Sequence, residues 1–181
     1  MRIKWFSLIR ITGLILVLLY HFFQTIFPGG FFGVDIFFTF SGFLITSLLL
    51  EEFSQKGEID IIGFFRRRFY RIFPPVVMMV LVIMPFTLMV RQDYVAGIGA
   101  QIAGVLGFMT NFYEMLTGGS YESQFIPHLF VHNWSLAVEV HYYILWGLAV
   151  WILSKRYKTS GQLRGTVFIL SSAAFLISFL S

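Results

Sequence analysis

The sequence predicts an all-α, polytopic transmembrane helical bundle, and three observations carry that expectation. Hydrophobic residues make up 57% of the 181 residues and charged residues 12%, with a mean hydropathy of +0.80. Soluble domains carry about twice that charged fraction. The apolar residues fall in runs of about 20, the length that crosses a hydrocarbon core of about 30 Å. Most basic residues lie between those runs. That distribution is a topology signal, so the net charge of +4 argues for a lipid bilayer and against nucleic acid as partner. With no cysteine, the chain has no disulfide, thiol nucleophile or thiolate metal site, and no metal is expected.

Five spans are expected. The first runs from Trp5 to Phe27, the second from Phe31 to Leu50 and the third from Ile72 to Val90. The fourth runs from Trp134 to Leu153, and a fifth starts at Gly165 and is still apolar at Ser181, which reads as a truncated chain. A cleaved signal peptide fits the first run poorly. It contains Arg10, is long enough to span, and leads to Pro28-Gly29-Gly30 without a small-x-small cleavage site. Residues 51–71 form a basic loop.

The Lys and Arg residues give the orientation. Arg2, Lys4 and Arg10 precede or enter the first span. Lys56, Arg66, Arg67, Arg68 and Arg71 follow the second, and Lys155, Arg156, Lys158 and Arg164 follow the fourth. Placing all three clusters in the cytoplasm puts the N-terminus inside and Arg91 outside. Residues 94–113 must then not cross. Their glycines (Gly97, Gly99, Gly104, Gly107) permit close backbone packing, so a re-entrant or interfacial segment is expected.

Ionisable groups inside spans are costly and mark cavities or partners. Arg10 and His21 are eleven residues apart, which places them on nearly one helix face about 16 Å apart along the axis. A snorkelling Arg and an interfacial His would explain either alone; an aqueous or ligand-filled track explains both. Asp35 lies just inside the second span, in GGFFGVDIFFTFSGFLIT, and is expected to face His21. Helix packing explains the glycines there but not the carboxylate, while Ser41 gives a small polar notch at mid-membrane.

The stretch IDIIGFFRRRFYRIFPP reads as a short amphipathic helix ending at Pro74-Pro75. Anchoring to anionic lipid accounts for Arg66 and Arg67. Arg68 and Arg71, three residues apart, present two guanidiniums toward the bundle, which suits a phosphate or pyrophosphate. The fourth span opens HNWSLAVEVHYYILW, where His132, Ser135, Glu139, Tyr142 or Tyr143, and Trp146 recur at steps of three and four. His141 points elsewhere, and His128 reads as an ordinary solvated loop histidine.

These stretches resemble the acyltransferase-3 family. Arg10-x10-His21 is similar to its first-helix motif, GGFFGVDIFFTFSGFLIT to its second-helix signature, FFRRRFYRIFP to its basic loop, and HNWSLAVEVHYYILW to its Trp-Ser-Leu-x-x-Glu helix. Overall similarity is greatest to the Gram-positive peptidoglycan O-acetyltransferases. The resemblance implies a multi-pass enzyme of the bacterial plasma membrane. It would move an acyl group, usually acetyl from acetyl-CoA, to an extracytoplasmic carbohydrate hydroxyl. It gives His21 the role of the essential histidine and matches Glu139 to the family's glutamate; from the charge layout, Asp35 or Glu139 would orient the imidazole. Arg10, Arg68 and Arg71 match the family's arginines and become donor-binding residues; Ser41, Trp134 and Ser135 are this sequence's own candidates for substrate contacts.

Two departures accompany the resemblance. Val140 and His141 stand where the family commonly has a second carboxylate and a Gln. Family members also have about ten membrane segments, and many add an extracytoplasmic esterase-like domain. Residues 1–181 therefore read as the N-terminal part of such a domain, with further spans or a transfer domain as partners. The rival classes are a transporter or flippase fragment, whose intramembrane charges form a path, and a non-catalytic partner subunit.

Overall fold

The computed structural model describes residues 4–23, 25–90, 97–117 and 128–180, and among these there is no strand. The helices are α1 (Lys4–Phe22), α2 (Phe32–Lys56), α3 (Ile61–Val90), α4 (Ile98–Leu106), α5 (Thr110–Thr117), α6 (Trp134–Ser154) and α7 (Ser160–Leu180). Short 3-10 turns at Pro28–Phe31 and Val131–Asn133 lead into α2 and α6. Four helices, α2, α3, α6 and α7, are long and apolar enough to cross a membrane, and α1 contributes a shorter apolar helix, Leu8–Phe22.

The surface is that of a lipid-solvated protein. Leu145, Phe168 and Met89 are 70%, 72% and 83% exposed, side chains that a water-soluble fold would bury. Hydroxyls within the helices return their O–H to the carbonyl four residues back. Thr12 bonds to Leu8, Thr46 to Gly42, Thr87 to Ile83 and Ser171 to Val167, at 2.8–3.0 Å. Such back-bonding satisfies a polar group where water cannot.

The chain divides into two compact units, Met1–Glu58 with Ile152–Ser181, and Ile59–Trp151. In the first, α1 and α2 form an antiparallel pair joined by the Pro28 turn, and α7 also packs on α2. The pair closes through glycines. A Cβ on Gly33 would lie 2.6 Å from the Gly13 carbonyl oxygen, and one on Gly30 would lie 2.4 Å from that of Leu16. Ile45 and Leu49 of α2 and Leu163 of α7 are fully buried.

In the second unit, Val76 and Val80 of α3, Val105 of α4 and Phe130 form the core. A left-handed residue, Phe108 (φ 54°), separates α4 from α5. The two helices have nine and eight residues, so each rises only about 12–14 Å, short of a 30 Å core.

Several boundaries differ from expectation. The first helix stops at Phe22 rather than Phe27, because the chain turns at Thr25 and Ile26 to bring Gly30 against Leu16 and Tyr20. The expected loop 51–71 is largely helical. Helix α2 continues to Lys56 through the Glu52–Lys56 ion pair (2.9 Å) and ends on left-handed Gly57. Helix α3 starts on Asp60, whose carboxylate accepts from the Gly63 N–H at 2.9 Å.

Pro74 and Pro75 do not end that helix. It runs through both and through Pro85. Each proline costs one intrahelical hydrogen bond, a loss that membrane helices tolerate when packing holds the chain. The last helix begins at Ser160, five residues before the expected start at Gly165. Arg91 and residues 94–96 lie outside the described residues.

The glycine contact gives a direct test. Gly33→Ala should lower stability by about 1–3 kcal/mol through overpacking. Gly161→Ala, where a Cβ meets nothing within 4 Å, should be neutral or slightly stabilising. Thermal unfolding in detergent, followed by tryptophan fluorescence, compares the two.

Candidate active site

The first unit carries Arg10, His21, Asp35 and Ser41. Residues Gly13, Leu16, Val17 and Tyr20 form the face of α1 that meets α2. Arg10 lies seven residues before Val17 and His21 four after it, so both flank that face. The Arg10 guanidinium carbon sits 5.6 Å above the Phe40 ring of α2, a cation–π contact.

The imidazole of His21 is exposed, with Nδ1 2.9 Å from the Val17 carbonyl oxygen. A carbonyl only accepts, so Nδ1 carries the proton and donates it. The lone pair of the neutral ring is then on Nε2. Tyr20 packs edge-on against His21 at 5.8 Å between ring centroids, and its other neighbour is Phe31 at 6.2 Å.

Asp35 does not face His21. It is exposed in the first turn of α2, and no ion pair joins the two among the described residues. The reason is helical phase. Gly33 points at α1, and two further residues turn the helix by about 200°, so Asp35 is carried to the far side. Ser41 is half-buried on α2.

The second unit carries Arg68, Arg71, Glu139, Trp134 and Ser135. Here α3 and α6 approach closely, since a Cβ on Gly147 would lie 3.1 Å from the Phe64 ring. This contact sets Arg68 against two aromatic faces, 5.7 Å from the Phe64 centroid and 5.8 Å from that of Tyr143. The Tyr143 ring is buried, and its hydroxyl donates a hydrogen bond to the Glu139 carboxylate one turn earlier on α6. Arg68, Tyr143 and Glu139 thus form one connected group.

Arg71 does not join this group; it is exposed, rotated about 60° around α3 from half-buried Arg68. Trp134 and Ser135 open α6, and the Ser135 hydroxyl donates to the His132 carbonyl at 3.2 Å. Beside Tyr143 lies a cavity of about 480 Å³, lined by Phe65, Phe69 and Ile72 of α3, Leu106 and Phe108, and Val140 and Ile144 of α6. Its walls are apolar, so Tyr143 brings a polar group to the edge of a hydrophobic chamber.

Two features escape sequence reasoning. Periodicity leaves Tyr142 and Tyr143 equivalent, but Tyr142 stacks on Trp146 (6.0 Å, 14°) while Tyr143 reaches Glu139 and Arg68. His128 is not simply solvated. Its Nδ1 lies 2.7 Å from a Glu114 carboxylate oxygen, with both side chains below one-fifth exposed. Fourteen residues separate them, and no local motif signals the pairing.

The chain is 32% identical over 163 residues to O-acetyltransferase OatA of Staphylococcus aureus strain NCTC 8325 / PS 47, and equally to OatA of strain COL. These matches cover 90% of this chain and 27% of each relative. A further protein of strain COL, SACOL0978, is 33% identical over 154 residues, or 83% of this chain and 26% of that protein. The chain therefore spans about a quarter of the length of the curated relatives it matches. No solved structure matches it significantly. A family model described as "Acyltransferase domain" matches residues 3–181, and the chain belongs to this acyltransferase-3 family of multi-pass membrane proteins.

Proposed function

We propose that this chain is the donor-side part of a membrane O-acyltransferase. The enzyme takes acetyl from cytoplasmic acetyl-CoA and delivers it to a hydroxyl of an extracytoplasmic cell-envelope carbohydrate, with peptidoglycan the favoured acceptor. The observation that carries this reading is the match over 90% of the chain to proteins named O-acetyltransferase. The proposed orientation keeps the N-terminus and the start of α3 in the cytoplasm. The α4–α5 segment is then re-entrant or interfacial on the outer side.

The residues divide by chemistry. Arg68 and Arg71, on the first half of α3, supply guanidinium donors for the CoA phosphates, and Arg10 of α1 is a further proposed donor-binding residue. Arg68 is positioned by the Phe64 and Tyr143 rings. His21, with its proton fixed on Nδ1, acts through Nε2, either as general base toward the acceptor hydroxyl or as transient acyl carrier. Glu139, positioned by Tyr143, is the proposed catalytic carboxylate, and Asp35, turned away from α1, is not assigned a place beside His21. Ser41, Trp134 and Ser135 are the proposed acceptor contacts.

Radiolabelled acetyl transfer from acetyl-CoA to cell-wall material, by the full-length protein, tests the reading; a transporter would move solute without labelling the wall. His21→Ala should abolish labelling while membrane abundance is unchanged, and retained labelling rejects the catalytic role. Arg68→Ala should weaken acetyl-CoA binding about tenfold or more, read by titration in detergent. Tyr143→Phe keeps the ring beneath Arg68 but removes the hydrogen bond to Glu139, an interaction of about 1.5–3 kcal/mol for a charged acceptor. It should slow transfer about tenfold and leave acetyl-CoA affinity unchanged.

A further inference from the structure

The Glu114–His128 pair lies outside the groups assigned above, and its geometry is that of a carboxylate-oriented base. The Glu114 carboxylate accepts the Nδ1 proton of His128 at 2.7 Å, which places the lone pair of the neutral imidazole on Nε2. No hydrogen bond reaches Nε2 from another described residue. The backbone that follows His128 is fixed, and one aromatic ring lies beside the imidazole. The Gln101 side-chain oxygen accepts the Leu129 N–H at 3.0 Å, Phe130 is locked in the core, and the Tyr113 ring lies 6.1 Å away.

A second observation points to a hydroxyl-bearing ligand. Thr110 and Asn111 stand four and three residues before Glu114, so all three share one face of α5. The Thr110 hydroxyl oxygen and the Asn111 side-chain carbonyl oxygen are both buried, and neither has a hydrogen-bond partner among the described residues. Leaving such groups unsatisfied costs about 1–3 kcal/mol each. A purely structural ion pair does not call for two orphan polar groups beside it. A ligand carrying several hydroxyls satisfies them.

We infer that Glu114–His128 is the base that activates the acceptor hydroxyl, on the side of the protein opposite the α3 arginines. This rests on the acyltransferase reading and its orientation. In the step, the acceptor O–H bond breaks and its proton passes to His128 Nε2. The hydroxyl oxygen forms a C–O bond to the acyl carbon, and the bond from that carbon to its carrier breaks. The electron pair stays on the carrier, which takes a proton from water, and His128 returns its own proton to solvent. The division of labour leaves His21 with the acyl group and His128 with the acceptor.

The test uses the full-length protein in a bacterial host lacking its own wall O-acetyltransferase, with alkali-released acetate from purified wall as readout. His128→Asn keeps an N–H donor toward Glu114 but has no base at the Nε2 position. It should lower wall acetate at least about 100-fold, the scale of a general base, with membrane abundance and acetyl-CoA affinity unchanged. A scaffold role predicts wild-type acetate for H128N, and that result overturns the proposal. If H128N does not accumulate, Glu114→Gln decides, since it keeps bulk and an acceptor for Nδ1–H while removing the charge. A fall of about tenfold in acetate at normal abundance supports the proposal, and undiminished acetate overturns it. Failure of the wild type to acetylate any wall material removes the acyltransferase reading and this inference together, whereas an active wild type with an active H128N removes this inference alone.

Discussion

The absence of a side chain at Gly33 and Gly30 is the constraint on which the first unit rests. With a Cβ at either, the carbonyls of Gly13 and Leu16 would stand inside van der Waals contact, and α1 could not lie against α2. In a bilayer, helices gain nothing from hiding apolar surface from one another, because lipid is as apolar as leucine. Close packing must supply the association instead. The same contact fixes helical phase. It sets Arg10 over Phe40, places His21 at the edge of the interface and turns Asp35 to the other side.

The second unit uses the same device with a different partner. Gly147 lets the Phe64 ring lie on the backbone of α6, which brings Arg68 over Tyr143. A guanidinium at membrane depth is costly unless its charge is met. Two aromatic faces meet it with about 0.5–2 kcal/mol of attraction. Tyr143 links the two signs of charge in this cluster, its ring against Arg68 and its hydroxyl on the Glu139 carboxylate.

Much of this was legible in the sequence, for reasons that differ by element. The bundle and the limits of α6 follow from hydropathy, and four ordered motifs resemble the family that the comparisons show. Arg10 and His21 share a face because helical period alone decides it. Asp35 was misplaced because proximity in sequence says that two helices are neighbours but not which faces meet; Gly33, two residues earlier, holds that information. The Glu114–His128 pair was out of reach because it depends on the left-handed Phe108 bend between α4 and α5. Pro74-Pro75 misled because proline stops helices chiefly where water can take up the freed carbonyls.

That proline pair has a consequence for how α3 moves. Pro74 and Pro75 have no amide hydrogen, so the carbonyls of Tyr70 and Arg71 lose their usual donors and two adjacent rungs of the ladder are missing. The helix is continuous in path but interrupted in cooperativity. Fraying that begins near Asp60 meets a break before the core residues Val76 and Val80, and the stability of the apolar half does not depend on the arginine-bearing half being folded at every instant. The arginines thus sit on a segment whose ladder is separate from that of the apolar half, and the packing of Phe64 on Gly147 is what holds that segment against α6.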